Sequence, residues 1–177
     1  MGPYYFGGSF GWTDIDTGVS AVTGTAKLDE EDTGYKFFAG LDLNKIFSAE
    51  VHYANIGEAT LTGNNGDTFV LDGAPFTFTA NGTTMEAEGT SFGISALARL
   101  PIDGKIKPFV KLGVHFWDID AKLSSPVGTA SFNDDGTDIF YGVGVEVEAA
   151  DRLSARAEFE RFDDVDFLSI GLVFRGK

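Results

Sequence analysis

The residues with the most chemical potential in this sequence of 177 residues are ionisable side chains that occur at alternate positions in otherwise uncharged segments. They are Glu50, Arg99, Lys111, Glu146, Arg156 and Glu158, with His52 and His115 in the same pattern. If these positions face an enclosed interior, the charges must pair, because an unpaired charge in a low-dielectric space is very costly. Arg156 is the expected centre, since its planar guanidinium can bind two carboxylates at once. The pattern therefore predicts a network of buried salt bridges.

Two roles are open for such a network. It could be a plug that opens when salt-bridge partners exchange, or a polar core that only fills the interior, and buried pairs often serve packing. The two histidines could hydrogen-bond within the network or titrate near neutral pH. They lack the close spacing of metal ligands, and the chain contains no HExxH, GxSxG or phosphate-loop pattern. We therefore expect no catalytic residue, no bound metal and no cofactor.

Negative charge is concentrated in three short runs, 29–32, 133–138 and 163–166. Asp plus Glu number 27 against 13 Lys plus Arg, a formal charge of -14. This balance argues against binding to nucleic-acid phosphates. The run 133–138 resembles part of a calcium loop but lacks the full spacing and the distal glutamate. We expect solvated turns that keep the loops extended.

The elements that must position the charged residues are β-strands. Apolar and polar residues alternate in segments of about ten residues, glycine is frequent at 23 residues, and aromatic residues make up 14% of the chain. The segments lie at 3–15, 33–43, 46–60, 90–101, 106–121, 137–149, 152–163 and 166–175. No linker divides the chain, so we expect a single all-β domain over residues 1–177.

The connections between the segments alternate in length. Short turns are expected at Asn44-Lys45, Asp103-Gly104 and Ala150-Asp151, and long connections at 16–32, 61–89 and 122–136. The stretch 61–89 itself alternates, so it is either a long extracellular loop or an extension of the strands. One further short link lies at Asp163-Asp164. The arrangement is typical of an eight-stranded antiparallel up-and-down transmembrane β-barrel with short periplasmic turns and longer extracellular loops.

One face of each segment is apolar, and the other is small or ionised. Aromatic residues on the apolar face are placed as expected for girdles at the two membrane surfaces: Tyr4, Trp12, Tyr35, Tyr53, Phe116, Tyr141 and Phe174. A soluble barrel that carries apolar ligands would show the same alternation with its faces inverted. The many glycines of the small face mark crowding rather than a solvated surface. They favour an apolar face turned to lipid and a narrow lumen that holds the charged residues.

The chain resembles a known family over nearly its whole length apart from residues 61–89, and most specifically at its two ends. The opening run 5–12, YFGGSFGW, and the closing run 167–175, FLSIGLVFR, are similar to the first and last strands of the OmpA-like family. The resemblance implies a lumenal salt-bridge network at Glu50, Lys111, Glu146, Arg156 and Glu158. It also implies that the barrel assembly machinery reads the last strand. Leu97 stands where the family has a lysine gating partner, with Arg99 closer to the periplasm. These 177 residues include no counterpart of the family's peptidoglycan-binding domain, so we expect either a separated barrel domain or a short stand-alone member.

These patterns predict a structural barrel of the Gram-negative outer membrane that contributes to envelope integrity and surface interaction, with at most weak passage of small solutes. Its expected partners are outer-membrane lipids, lipopolysaccharide and the barrel assembly machinery, and it is expected to be a monomer. No signal peptide opens the chain, so we expect that one has been removed. A lipid-modifying barrel enzyme is an alternative. It needs an exposed histidine near the lipid headgroups, whereas both histidines fall at inward positions.

Overall fold

The computed structural model describes residues 3–102 and 104–176, and the regular structure within them is entirely β. The strands are β1 (Tyr4–Ile15), β2 (Val19–Ser20), β3 (Lys27–Asp29), β4 (Glu31–Asp42), β5 (Phe47–Gly63), β6 (Thr68–Leu71), β7 (Ala74–Thr77), β8 (Thr83–Arg99), β9 (Ile106–Ser125), β10 (Gly128–Ala150), β11 (Leu153–Phe162) and β12 (Val165–Arg175). In these two ranges no helix is long and apolar enough to cross a membrane.

The long strands form a closed antiparallel barrel. Its order is β5-β4-β1-β12-β11-β10-β9-β8, and pairing of β5 with β8 closes the ring. The first and last strands, β1 and β12, are paired over their whole length, from Tyr5 opposite Arg175 to Ile15 opposite Val165. Closure leaves no unpaired edge in the barrel wall, which a hydrocarbon environment requires. The predicted fold class is confirmed.

The barrel has a short-turn end and a long-loop end. The short-turn end holds Pro3 and Gly176, the first and last described residues, and the connections 43–46, 100–102 with 104–105, and 151–152. Asp103, which was predicted to lie in a short turn, falls outside the described residues. The long-loop end holds residues 16–30, 64–82, 126–127 and 163–164. Successive strands run between the two ends, so inward charged residues of β4, β5, β9, β10 and β11 can meet in the lumen.

The alternation of side chains separates an outer from an inner surface. On β9, Leu112 and Phe116 are 60% and 52% exposed, whereas Lys111 and His115 are 3% and 2% exposed. Side chains along a strand point to opposite faces, so this period of two places every second residue inside. The outward residues continue around the barrel as an apolar belt, which includes Phe6, Phe37, Val51, Ile94, Leu112, Val143, Phe159 and Ile170. Such a surface is suited to lipid rather than to water.

The inner face is not only small or ionised, as the sequence pattern had indicated. Large rings are buried there: Tyr5, Phe38, Phe109, Phe140, Phe162 and Phe167. The inward glycines accommodate these rings, because a Cβ atom at Gly113 would overlap the ring of Phe140 and one at Gly144 would overlap that of Phe109. The interior of an eight-stranded barrel is just wide enough for side chains to fill. Aromatic rings and glycines therefore share the space between the charged residues.

Four strands continue past the long-loop end of the barrel. The stretch 122–136 was expected to be a long connection, but β9 runs to Ser125 and β10 starts at Gly128, so the pair forms one long hairpin. Likewise β5 extends to Gly63 and β8 begins at Thr83. We call the parts of these strands beyond the register shift in β5 the protruding sheet, together with β3: residues 58–63 of β5, 83–88 of β8, 120–125 of β9 and 128–133 of β10. The stretch 61–89 was expected to be a long loop or an extension of the strands, and β5 and β8 extend into its two ends. The extension of β9 and β10 was not expected from the sequence.

A second, smaller sheet lies over the protruding sheet. Strands β2, β6 and β7 form it, in the order β2-β6-β7, and we call it the flap. Phe69 and Phe78 of this region pack with Leu61 of β5 in a separate hydrophobic cluster. The extension of β5 turns towards the flap at Gly57, where the register with β8 shifts and φ is +87°. A glycine is suited to this left-handed conformation because it has no Cβ.

The outer surface provides a test of the fold. Leu112→Arg places a charge in the apolar belt and should destabilise the lipid-embedded barrel by roughly 2–4 kcal/mol. Val127→Arg changes a residue that is 87% exposed at the tip of the β9–β10 hairpin, and should alter stability by no more than about 0.5 kcal/mol. The measurement is reversible urea unfolding in lipid vesicles, followed by tryptophan fluorescence. Equal effects of the two substitutions would mean that Leu112 does not face hydrocarbon.

Candidate functional site

The lumen holds a layer of buried charges centred on Lys111. Its Nζ lies 2.8 Å from Glu50 Oε1, 2.5 Å from Glu158 Oε1 and 3.0 Å from Glu160 Oε1. A second ammonium, that of Lys36, lies 2.6 Å from Glu158 Oε2 and also pairs with Glu160. All five side chains are at most 1% exposed. Two ammonium groups thus hold three carboxylates together from opposite sides.

Arg156 connects this cluster to the short-turn half of the lumen. Its Nη1 donates to Glu50 Oε2 at 2.8 Å, and its Nη2 donates to Glu146 Oε2 at 3.3 Å. The face of the same guanidinium lies 4.5 Å from the ring centroid of Phe38 and 5.0 Å from that of Phe109. A delocalised guanidinium can stack on rings while it binds carboxylates in its plane. Arg156 therefore bridges two carboxylates, in the manner expected from its chemistry.

The network ends at the short-turn mouth of the barrel. Arg175 donates through Nη1 to Asp42 Oδ2 and through Nη2 to Glu146 Oε1, each at 2.6 Å. Arg99 donates to Asp42 Oδ1 at 2.9 Å and also to Ser48. Arg99 thus lies in the mouth and not in the central cluster. The acid between the two arginines, Asp42, is 26% exposed, so this end of the network meets water.

The connected network is electrically neutral. It contains five basic groups and five carboxylates. The bases are Lys36, Arg99, Lys111, Arg156 and Arg175, and the acids are Asp42, Glu50, Glu146, Glu158 and Glu160. Each carboxylate contacts at least one base within it. Neutrality is what makes so many enclosed charges tolerable, since burial of an uncompensated charge would cost several kcal/mol.

Four members of this network were not predicted from the sequence pattern: Lys36, Glu160, Asp42 and Arg175. Lys36 lies between outward-facing Tyr35 and Phe37, and Glu160 follows Glu158 by two residues, so strand alternation places both inside. Leu97 is fully buried and lies opposite Lys111 in the register of β8 and β9. An apolar side chain therefore occupies that inward position of β8.

A layer of histidine and aromatic rings lies on the long-loop side of the charges. Ser91 Oγ lies 3.0 Å from His115 Nδ1 and 3.4 Å from His52 Nε2. Both imidazoles meet the rings of Phe140 and Phe162 edge-on, and these two rings are stacked with centroids 4.9 Å apart. The ring layer fills this part of the lumen with buried aromatic side chains.

The chemistry available in the lumen is limited by access. Ser91 and His115 are within hydrogen-bond distance, and they are 1% and 2% exposed. Across residues 3–102 and 104–176, no three His, Cys, Asp or Glu residues come together in a way that could hold a metal ion. The histidines point away from the lipid headgroups, where a lipid-modifying enzyme needs one. The arrangement can fill and close the barrel.

The outward aromatic residues lie near the two ends of the apolar belt. Those towards the long-loop end are Trp12, Tyr35, Tyr53, Phe116 and Tyr141, and those towards the short-turn end are Tyr4 and Phe174. Each of them is between 41% and 58% exposed. Phe6 and Phe174 stack with ring centroids 5.6 Å apart. Amphipathic rings at these two levels are suited to the boundary between hydrocarbon and water.

The long-loop end is acidic, and local contacts shift the pKa values of two of its carboxyl groups. Burial together with the neighbouring charges of Asp163 and Asp16 raises the pKa of Asp164 above its ordinary value. Hydrogen bonds from the hydroxyl and amide of Thr25 and from the amide of Asn64 lower the pKa of Asp67. Asp164 therefore lies in a field of like charges, whereas Asp67 is an anchor for the flap.

Comparison with known proteins gives a consistent result. A profile of the outer membrane protein beta-barrel domain matches residues 2–173. Similar solved structures include OprG of Pseudomonas aeruginosa, with 12% identity, a TM-score of 0.67 and coverage of 98% of this chain and 96% of that chain. The N-terminal barrel of OprF from the same organism has 12% identity and a TM-score of 0.59, with coverage of 98% and 97%. At these identities the likeness concerns the fold.

Ail of Yersinia pestis, in complex with the heparin analogue sucrose octasulfate, is a further similar structure. It has 15% identity and a TM-score of 0.56, and the match covers 99% of this chain and 100% of that chain. No curated protein sequence matches this chain.

The ionic layer yields a stability prediction. Lys111→Met leaves five carboxylates facing four bases and should destabilise the barrel by about 3–5 kcal/mol. Adding Glu158→Gln restores neutrality and should recover part of that loss. Lys45→Met, at an exposed lysine in a short turn, should cost no more than about 0.5 kcal/mol. Urea unfolding in vesicles measures all three. If Lys111→Met behaves like Lys45→Met, the network does not stabilise the barrel.

Proposed function

The chain belongs to the outer membrane protein beta-barrel domain family, and from this we propose that it is a structural barrel with a closed lumen, whose long-loop end makes surface interactions. The short turns lie on the periplasmic side in this proposal, and the protruding sheet, the flap and the acidic loops face the exterior. The apolar belt contacts outer-membrane lipid, and the aromatic residues at its two levels lie at the lipid headgroups, including those of lipopolysaccharide.

The double closure of the lumen is the observation that carries this proposal. Charged groups fill the short-turn half, and histidine and phenylalanine rings fill the half towards the long loops. Solute passage would need salt-bridge partners to separate and stacked rings to move at the same time. The barrel therefore serves as a membrane anchor and contributes to envelope integrity, with at most weak passage of small solutes.

The last strand supports the proposed route of assembly. Outward Leu168, Ile170, Leu172 and Phe174 alternate with inward residues on β12, and the strand pairs with both β1 and β11. A C-terminal strand of this pattern is suited to recognition by the barrel assembly machinery. The apolar belt surrounds the whole barrel, which supports a monomer in lipid.

Charge indicates which surface partners are suitable. Ail binds a sulfated heparin analogue in its structure, whereas this chain carries a formal charge of -14, with acidic runs at its long-loop end. Negative charges on this surface repel polyanions and attract cationic partners over about a Debye length. We therefore propose that the exterior of this barrel binds cationic surfaces.

The closed lumen gives the first functional prediction. Purified wild-type protein in planar lipid bilayers should show no steady channel at neutral pH. The double variant Glu50→Ser with Arg156→Ser removes one base and one acid, so it keeps the network neutral while opening space, and it should raise the ion conductance. Heat-modifiable mobility in SDS gels confirms that the variant is folded. A steady open channel in the wild type would contradict closure.

The acidic exterior gives the second functional prediction. Nanodisc-embedded protein should bind poly-L-lysine in a salt-sensitive manner and should not bind sucrose octasulfate. The change Asp134→Asn, Asp135→Asn, Asp163→Asn and Asp164→Asn should weaken the polylysine complex at least about tenfold. Asp151→Asn, at the short-turn end, is the control and should leave affinity unchanged. Tight binding of sucrose octasulfate would refute the assignment to cationic partners.

A further inference from the structure

A cavity lies between the flap and the protruding sheet, outside the lumen and away from its charged network. Its volume is about 150 Å³. Phe69 of β6 lines it on the flap side, and Leu61, Met85 and Leu123 line it on the sheet side. These residues come from four different strands. The cavity is therefore a product of the tertiary structure and is built on β-strands.

A row of alanines creates the hollow. Ala59 of β5 lies opposite Ala87 of β8, which lies opposite Ala121 of β9. The row ends at Phe132 of β10, the register partner of Ala121, whose side chain is 62% exposed. The neighbouring row across the same strands has the larger side chains Leu61, Met85 and Leu123. Three short side chains in line thus leave a depression that the flap covers without filling it.

Packing within the flap keeps the cavity open. Phe69 stacks on Phe76 and contacts Phe78, with ring centroids 5.5 Å and 5.1 Å apart. Asp67 accepts hydrogen bonds from Thr25 and from the amide of Asn64 at 2.6–3.0 Å, which fixes the loop that precedes β6. These contacts hold the flap in place without requiring it to pack directly onto the alanine row.

The lining determines which chemistry the cavity can accept. It is apolar except for Thr17, Thr60, Glu86 and Lys122. Glu86 and Lys122 are register partners on β8 and β9, so the net charge of the lining is zero. No unopposed base is available to hold a carboxylate or a phosphate, and burial of an unpaired anion is costly. The site therefore favours a neutral apolar molecule.

We propose that this cavity is a binding site for a small neutral apolar molecule of about one aromatic ring. An enclosed apolar cavity of about this volume accepts benzene, and this cavity, which is partly open to the exterior, has room for a molecule of that size. Part of the rim is the exposed ring of Phe132, which provides a contact surface at the entrance. The site lies on the proposed exterior of the barrel, so it takes ligand from outside and does not depend on passage through the lumen.

The two methionines of the chain allow a direct test. Protein labelled with ¹³C at the methionine methyl groups and embedded in lipid nanodiscs is titrated with toluene. The Met85 methyl signal should shift upfield and saturate, because an aromatic ring beside it exerts a ring current. The Met1 signal is the internal reference. A Met85 signal that stays fixed, or that drifts linearly together with Met1 as toluene dissolves in the lipid, would overturn the proposal.

Substitutions in β9 and β8 identify the site. Ala121→Leu fills the hollow and should weaken toluene binding at least about tenfold. Ala96→Leu is the matched control, since Ala96 is exposed on the outer face of β8, and it should bind toluene as the wild type does. If Ala121→Leu fails the test of heat-modifiable mobility, Ala87→Leu replaces it. An unchanged saturable shift in the filled variant would locate the toluene elsewhere and refute the site.

Ligand charge is tested with 4-methylbenzoate, which is toluene with a carboxylate. It should bind at least about a hundredfold more weakly than toluene, because the lining offers the anion no unopposed base. Equal affinity for the two compounds would refute the inference that the site selects neutral molecules.

Discussion

An eight-stranded barrel encloses a space that side chains can only just fill, and each charge placed there must meet an opposite charge. The ten charged groups of the connected network meet this constraint, with five bases and five acids. Neutrality of the whole is the condition for any single member to be buried. The glycines follow from the same constraint, since a Cβ at Gly113 or Gly144 would collide with a neighbouring ring.

The filled interior divides the molecule into two parts with different tasks. Within the membrane, ion pairs and stacked rings fill the lumen. Beyond the membrane, β5, β8, β9 and β10 continue as a sheet that no longer needs to close, and the flap covers one side of it. Side chains of this part do not have to fill a closed lumen. It can therefore contain a surface cavity and many acidic residues.

The apolar belt shows which environment the outer surface of the barrel is suited to. Lipid-facing residues such as Phe6 and Ile170 are more than half exposed, which in water would be unfavourable and in hydrocarbon is not. Closure of the barrel leaves no unpaired edge strand in the wall, and a bilayer demands this. Burial of charges inside and exposure of apolar residues outside are thus consequences of a single environment.

The sequence by itself determined the eight strands of the wall, their in–out alternation and the inward position of the principal charged residues, because a strand has a period of two that can be read locally. It did not determine which charges meet: Lys36 and Glu160 are 124 residues apart, and only barrel closure and register bring them together. The long β9–β10 hairpin and the alanine row beneath the flap were also decided by tertiary structure. The alanine row depends on the pairing of β5 with β8 and of β8 with β9, and the hairpin is flanked by β8 as far as Ser124. No local sequence pattern encodes these pairings.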